Sequence, residues 1–230
     1  MAQNVAILLK FPSVQTLRIR GLAPVDSSGL DIPTSGFLPL LQEYTGPGVT
    51  LPMFLPLSTL TRLTTYDIDP RPFIAVACQL SAPSRIISLD LSFNEFDNIA
   101  LDKLSAVFIW LTELRIHITM EQDINGVARS FFQKLADAPT LPQQLERLVL
   151  TWKFEYEAEV PTCGPQLDLG YYRDVLLARC PKLIFVWLDA DDFLLQWHRL
   201  RNDTIDERIA NDVDEVHNIR PELDILWDSF

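Results

Sequence analysis

Ile86-Ile-Ser-Leu89-Asp-Leu91-Ser-Phe-Asn94-Glu-Phe96 sets the frame in which this chain reads. An apolar residue, two variable ones, an apolar residue, one variable one and a further apolar residue describe a short strand. Alternation sends Leu89 and Leu91 to one side and Asp90 to the other. Asn94 follows at the turn leaving the strand, where its side chain can hydrogen-bond backbone groups. The same pattern returns in Val14-Gln-Thr-Leu17-Arg-Ile19, Leu63-Thr-Thr-Tyr66-Asp-Ile68, Leu111-Thr-Glu-Leu114-Arg-Ile116, Leu145-Glu-Arg-Leu148-Val-Leu150 and Leu183-Ile-Phe-Val186-Trp-Leu188. Chance alternation explains one such segment far more easily than six.

Most copies follow a helix-like stretch: Asn4 to Lys10, Phe73 to Leu80, Ile99 to Trp110, Ile124 to Ala138 and Tyr171 to Arg179. Ahead of the second copy the nearest candidate is Phe37 to Tyr44. Prolines 12, 83, 139 and 181 stand just after such stretches, where they push the preceding residue out of the α region. Neither a helix nor a strand of this size buries its apolar side alone, so the units must stack. The expected fold class is α/β: an irregular leucine-rich-repeat-like solenoid over residues 1–200, its parallel sheet carrying helices on the outer face. The irregularity lies in the spacing, roughly 23 to 25 residues from Leu63 to Ile86 to Leu111 and more in later units, against about 20 to 29 for regular repeats.

A further strand is expected between Val49 and Leu57. Leu148, Leu150, Trp152, Phe154 and Tyr156 prolong the alternation of the fifth copy, which points to a strand that overruns its neighbours into a hairpin or edge. Phe193 to Leu200 and Thr204 to Arg208 flank Arg201-Asn-Asp203 and are expected to pair as a C-terminal hairpin cap. With the acidic tail of residues 201–230, that cap shields the last strand edge.

Of 230 residues, 48% are hydrophobic and 22% charged, a globular composition. Cys78, Cys163 and Cys180 form no CxxC pair, which fits a reducing compartment. The first ten residues lack a basic n-region and a cleavage site, so no signal peptide is expected. No uncharged apolar run reaches the roughly 18 residues of a membrane span. Cytoplasm or nucleus is the expected location, with no membrane partner. Net charge is -12, and residues 201–230 hold nine acids against three arginines. Without a Lys/Arg cluster such a chain repels phosphate backbones, which excludes nucleic acid as a partner.

Enzymatic signals are thin. Asp189-Ala-Asp191 at the end of an apolar strand has the look of a glycosyltransferase metal and nucleotide-sugar site. The same carboxylates fit a turn after the sixth strand equally well in chemistry and better in context. His117, His198 and His217 show no ligand spacing, and GxSxG, P-loop and GxGxxG motifs are missing. Cys180 falls at a helix end, where no dipole lowers a thiol pKa, and all three thiols read as core residues. No catalytic residue, metal or cofactor is expected.

What remains is the face of the strands turned away from the apolar pairs. Its expected members are Thr16, Arg18 and Arg20; Thr65, Asp67 and Asp69; Ser88, Asp90 and Ser92; Glu113, Arg115 and His117; Arg147, Val149 and Thr151; Phe185, Trp187 and Asp189. Arg and Trp anchor protein interfaces more than most residues, so Arg18, Arg20, Arg115 and Trp187 are the leading candidates for protein binding, with packing under the terminal hairpin the alternative for Trp187. Asp67, Asp90, His117 and Asp189 complete the candidate set.

Phe11-Pro-Ser-Val-Gln-Thr-Leu-Arg-Ile19, Leu40-Leu-Gln-Glu-Tyr-Thr-Gly46, Leu89-Asp-Leu-Ser-Phe93, Cys180-Pro-Lys-Leu183 and Trp187-Leu-Asp-Ala-Asp-Asp-Phe193 resemble the leucine-rich-repeat portion of fungal F-box-like proteins. The resemblance covers nearly the whole chain. It implies the substrate-binding part of a ubiquitin-ligase receptor, whose F-box docks on the ligase adaptor. No Leu-Pro-x-Glu-Ile opening precedes the first strand here, so these residues do not support adaptor binding. The expected function is non-catalytic protein recognition, with a partner the sequence does not name. A metal-dependent glycosyltransferase-like fragment and a structural scaffold are the alternatives.

Overall fold

The structure, a computed structural model, describes residues 10–20, 38–68, 70–79, 84–93, 98–120, 130–131, 141–154, 167–190, 193–200, 203–211, 215–216 and 218. One nine-stranded sheet runs through it in strict chain order. Its strands are β1 (Thr16–Arg18), β2 (Glu43–Pro47), β3 (Arg62–Ile68), β4 (Ser88–Phe93), β5 (Glu113–Met120), β6 (Arg147–Phe154), β7 (Phe185–Ala190), β8 (Phe193–Arg199) and β9 (Ile205–Ala210). From β1 to β7 each strand lies parallel to the next. β8 and β9 are added antiparallel. The sheet does not close into a barrel, and β1 and β9 are its edges.

Parallel neighbours need a crossover connection that carries the chain back to the same end of the sheet. Helix α1 (Pro70–Cys78) lies between β3 and β4, α2 (Asn98–Val107) between β4 and β5, and α3 (Leu169–Arg179) between β6 and β7. The architecture is therefore mixed α/β. Asp168 caps α3 by accepting the Tyr171 N–H at 3.0 Å, and Cys180 closes it by donating to the Leu176 carbonyl at 2.9 Å, immediately before Pro181. Expected helices at Asn4 to Lys10 and Ile124 to Ala138 lie almost wholly outside the described residues, of which Ser130 and Phe131 are helical.

Six units enter the sheet by the same backbone device, whereas in the unit of β4 the Ile86 N–H donates to the Ser84 hydroxyl at 3.2 Å. The N–H groups of Val14, Leu41, Leu60, Leu111, Leu145 and Leu183 donate to carbonyls three residues earlier, at 3.0–3.2 Å. That turn aims the strand. The carbonyls of Gln15, Gln42, Thr61, Ile87, Thr112 and Glu146 then each accept two N–H groups from the next unit. The shared acceptor fixes register, so Leu17, Tyr44, Leu63, Leu89, Leu114, Leu148 and Val186 form one row across seven strands. Together with Phe73, Ala77, Leu101, Leu104 and Leu176 from the helices, all of this row except the half-buried Leu17 belongs to one buried apolar cluster, against which Leu17 packs.

Some expectations need correction. Phe37 to Tyr44 is not a helix leading to the second copy, because Leu41-Gln-Glu-Tyr44-Thr-Gly46 is itself a copy and forms β2. Its last apolar position is Gly46. The Tyr44 phenol leans over that site, where a Cβ would collide with it. Tyr44 stacks on Phe54 with centroids 4.3 Å apart and hydrogen-bonds the Thr50 hydroxyl, which donates to the Pro47 carbonyl at 2.8 Å. Burial pushes the phenol up to about 12, against the Thr50 hydrogen bond. Consequently the strand expected between Val49 and Leu57 is instead a 3₁₀ turn, Gly48–Thr50, and a helical turn, Leu51–Phe54.

The next copy is framed Leu60-Thr-Arg-Leu63-Thr-Thr65 rather than from Leu63, since Leu63 pairs with Leu89 and Thr65 with Leu91. Thr65 therefore points to the core side, buried, with no hydrogen-bond partner for its hydroxyl. All eight residues of β6 pair with β5 and the strand overruns β7, while Tyr156, to which the alternation is expected to continue, lies outside the described residues. Among the thiols, Cys180 is buried and pushed up to about 11 by desolvation, whereas Cys78 is exposed at the end of α1.

The hairpin of β8 and β9 forms as expected. Asp203 supplies the left-handed residue of its turn at φ 59, and the Leu200 N–H reaches the Thr204 carbonyl at 2.8 Å.

Candidate recognition face

Residues between the core-facing positions form cross-strand rows on the other side of the sheet. In the first row Glu43, Arg62, Ser88, Glu113, Arg147 and Phe185 stand side by side. Because Ser88 is small, Arg62 reaches across it: its guanidinium lies 3.8 Å from Glu43 on one side and 3.8 Å from Glu113 on the other. Arg147 is 3.2 Å from Glu113, and the Thr16 hydroxyl donates to Glu43 at 3.3 Å. Alternating charges satisfy one another along the row.

The second row carries Arg18, Thr45, Thr64, Asp90, Arg115 and Val149, and continues through Trp187, Gln196 and Arg208. Burial pushes the Asp90 carboxyl up from its ordinary value, while the neighbouring Arg115 cation works against that shift. In the third row His117 pairs with Thr151, which pairs with Asp189. His117 Nδ1 lies 2.6 Å from Thr151 Oγ1, a hydrogen bond whose donor depends on the tautomer. His117 Nε2 is 3.8 Å from Asp90 Oδ1, outside hydrogen-bond reach.

Solvent access is lower toward the C-terminal strands of the face. Side chains of Arg62 and Glu43 are 52% and 44% exposed, and those of Glu113 and Arg147 are 17% each. By β7 and β8 the face is closed. Val149, Phe185, Trp187, Leu194 and Ala210 form a second apolar cluster, and Val216 packs into it from beyond β9. Trp187 and Gln196 are fully buried cross-strand partners, and among the described residues neither the indole Nε1 nor either carboxamide atom has a hydrogen-bond partner. Beside them Phe185 meets His198 edge-to-face at 5.8 Å. Burial lowers the His198 pKa, Asp206 opposes that shift and Arg147 adds to it.

The structure brings Asp90, Arg115 and His117 together at the centre of the face. Arg18 and Arg20 are exposed at its β1 end, Arg18 in the same row as Asp90. Asp67 stands in β3 where the register shifts between Thr65 and Ile68, and Thr65 leaves the face altogether. Trp187 is on the face but not exposed, and Asp189 is buried at its side. Asp191, the other half of the Asp-x-Asp pair, and Asp69 lie outside the described residues. Sequence reasoning missed Glu43 and Arg62, the most open pair. Both would have emerged from the frames beginning at Leu41 and Leu60.

Among the described residues, no three His, Cys, Asp or Glu side chains gather as a metal site would require, and no helix is long and apolar enough to cross a membrane. No protein-family model, characterised protein or solved structure matches this chain.

Proposed function

We propose that this chain is a non-catalytic protein-recognition module, an irregular leucine-rich-repeat-like solenoid that holds a protein partner on the charged face of its parallel strands. The substrate-holding part of an F-box-type ubiquitin-ligase receptor, working in the cytoplasm or nucleus, is the form of that function the sequence resemblance favours. One observation carries the reading. Seven parallel strands in a common register carry a mixed-charge surface from β1 to β5, open at Glu43 and Arg62 and half-buried at Asp90, Arg115 and His117 on β4 and β5. A surface built from many strands at fixed spacing is rigid, and rigid presentation of Arg side chains lowers the entropic cost of binding.

Affinity purification from the native cell with the wild type, Arg62→Glu and Arg115→Glu tests it. A partner recovered with the wild type and lost with both variants, at unchanged melting temperature, supports the proposal. Recovery indifferent to both substitutions sinks it.

A further inference from the structure

We propose that two copies of this chain associate through the outer edge of β9, continuing the sheet across a twofold axis. β8 and β9 leave β7 by hairpin connections, so no crossover helix comes with them. The core-side residues of β9 are left open in consequence. Ile209 lies opposite the core residue Leu195 and shares its side of the sheet, yet it is 42% exposed, and Ile205 is 61% exposed. Between them Glu207 is held by Arg173 of α3.

The backbone fixes which groups meet a second copy. Leu200 and Thr204 are a hydrogen-bonded pair at 2.8 Å, and bonded and non-bonded pairs alternate along an antiparallel ladder. Asp206, Arg208 and Ala210 therefore turn their peptide groups to β8, while Ile205, Glu207 and Ile209 turn theirs to the sheet edge. Among the described residues no strand pairs with that edge.

An antiparallel second β9 can meet it only with the same alternate residues facing in. Centred on Glu207, the pairing sets Ile205 against Ile209 of the second copy, and Asp206 against its Arg208. Each contact then occurs twice. Sliding the register by two residues one way would oppose Asp206 to Asp206, and the other way Arg208 to Arg208, both unfavourable. The sole like-charge meeting in the favoured register is Glu207 on the axis, where each carboxylate keeps its own Arg173. A charged edge of this kind discourages other strands from adding to it, while Asp206 and Arg208 match its own copy.

Sedimentation equilibrium over a concentration series, with Asp206→Arg and Arg208→Asp, tests the pairing. The wild type is expected to show a monomer–dimer equilibrium, and each single variant to weaken it by roughly tenfold or more. Mixing the two variants restores association as a heterodimer, since Arg at 206 then faces Asp at 208, and a misfolded variant could not be rescued this way. Ile209→Lys breaks the contact from the other side of the strand. A wild type that stays monomeric at the highest concentration overturns the proposal. So does a dimer indifferent to these changes, or variants whose association mixing fails to restore.

Discussion

The two ends of the face opposite the main core share one strand register and have opposite surfaces. From β2 to β5 the rows hold Glu43, Arg62, Asp90, Glu113 and Arg115, polar groups that answer one another across strands and meet water. From β6 to β8 the same rows hold Val149, Phe185, Trp187 and Leu194, and Val216 seals them. Register alone therefore does not make a surface. What covers each stretch decides whether it can bind anything, and an apolar row next to an edge needs a cover of its own chain.

The sharpest way to test that contrast is to remove the anchor of the closed end. Trp187→Ala empties a fully buried site and should cost about 3–5 kcal/mol of unfolding free energy, measured by denaturant titration. A loss below about 1 kcal/mol would mean that the second cluster does not hold the C-terminal part of the sheet.

A smaller effect is expected at the junction where the open end begins. Gly46→Val drives a side chain into the Tyr44 phenol and should destabilise by about 1–3 kcal/mol. Adding Tyr44→Leu converts this unit to the Leu-x-hydrophobic arrangement of Leu89-Asp-Leu91, and should recover part of that loss. A double variant no more stable than Gly46→Val alone would show that Tyr44 and Gly46 are not a size-compensated pair.

At the open end, stability and binding should separate. Arg62 is half exposed, so Arg62→Ala is expected to shift stability by no more than about 0.5 kcal/mol in a melting experiment, because surface ion pairs are screened. The same substitution should weaken partner capture, and a variant that melts early would instead place Arg62 in the framework of the fold.

Much of this was legible from the chain because an alternating pattern with a fixed turn is a local signal. Six strands and the hairpin were readable in outline, as was the central trio Asp90, Arg115 and His117. Failures came where one side chain stood in for another. Gly46 hid a copy because the apolar volume belonging to its position is supplied by Tyr44 two residues earlier. Thr65 hid the frame of β3 because a hydroxyl occupies a core position and Tyr66 offers a false apolar partner. Trp187 falls on the correct face, but its sequence suits exposure and packing under the terminal hairpin equally, because cover arriving from Val216 is a long-range fact that no period in β7 reports.

The smallest effects are electrostatic, and burial produces them at both ends, on a base at one and an acid at the other. His198, at the closed end, has a pKa lowered by burial below the usual 6.5. Between that value and the lower folded one, the unfolded chain binds a proton that the folded chain refuses, so the stability present above 6.5 is lost as pH falls. Asp90, at the open end, is shifted upward from 3.8, again by burial. Its folded state holds a proton that the unfolded state releases, so its contribution is full at lower pH and is lost as pH rises through the folded value. Relative to the wild type, His198→Gln should therefore gain stability on acidification, and Asp90→Asn should gain it as pH rises from the carboxylate range. Unfolding free energies measured across pH should give difference curves of opposite slope for the two variants. Curves sloping the same way would mean that burial does not disfavour the charged form at one of the two sites.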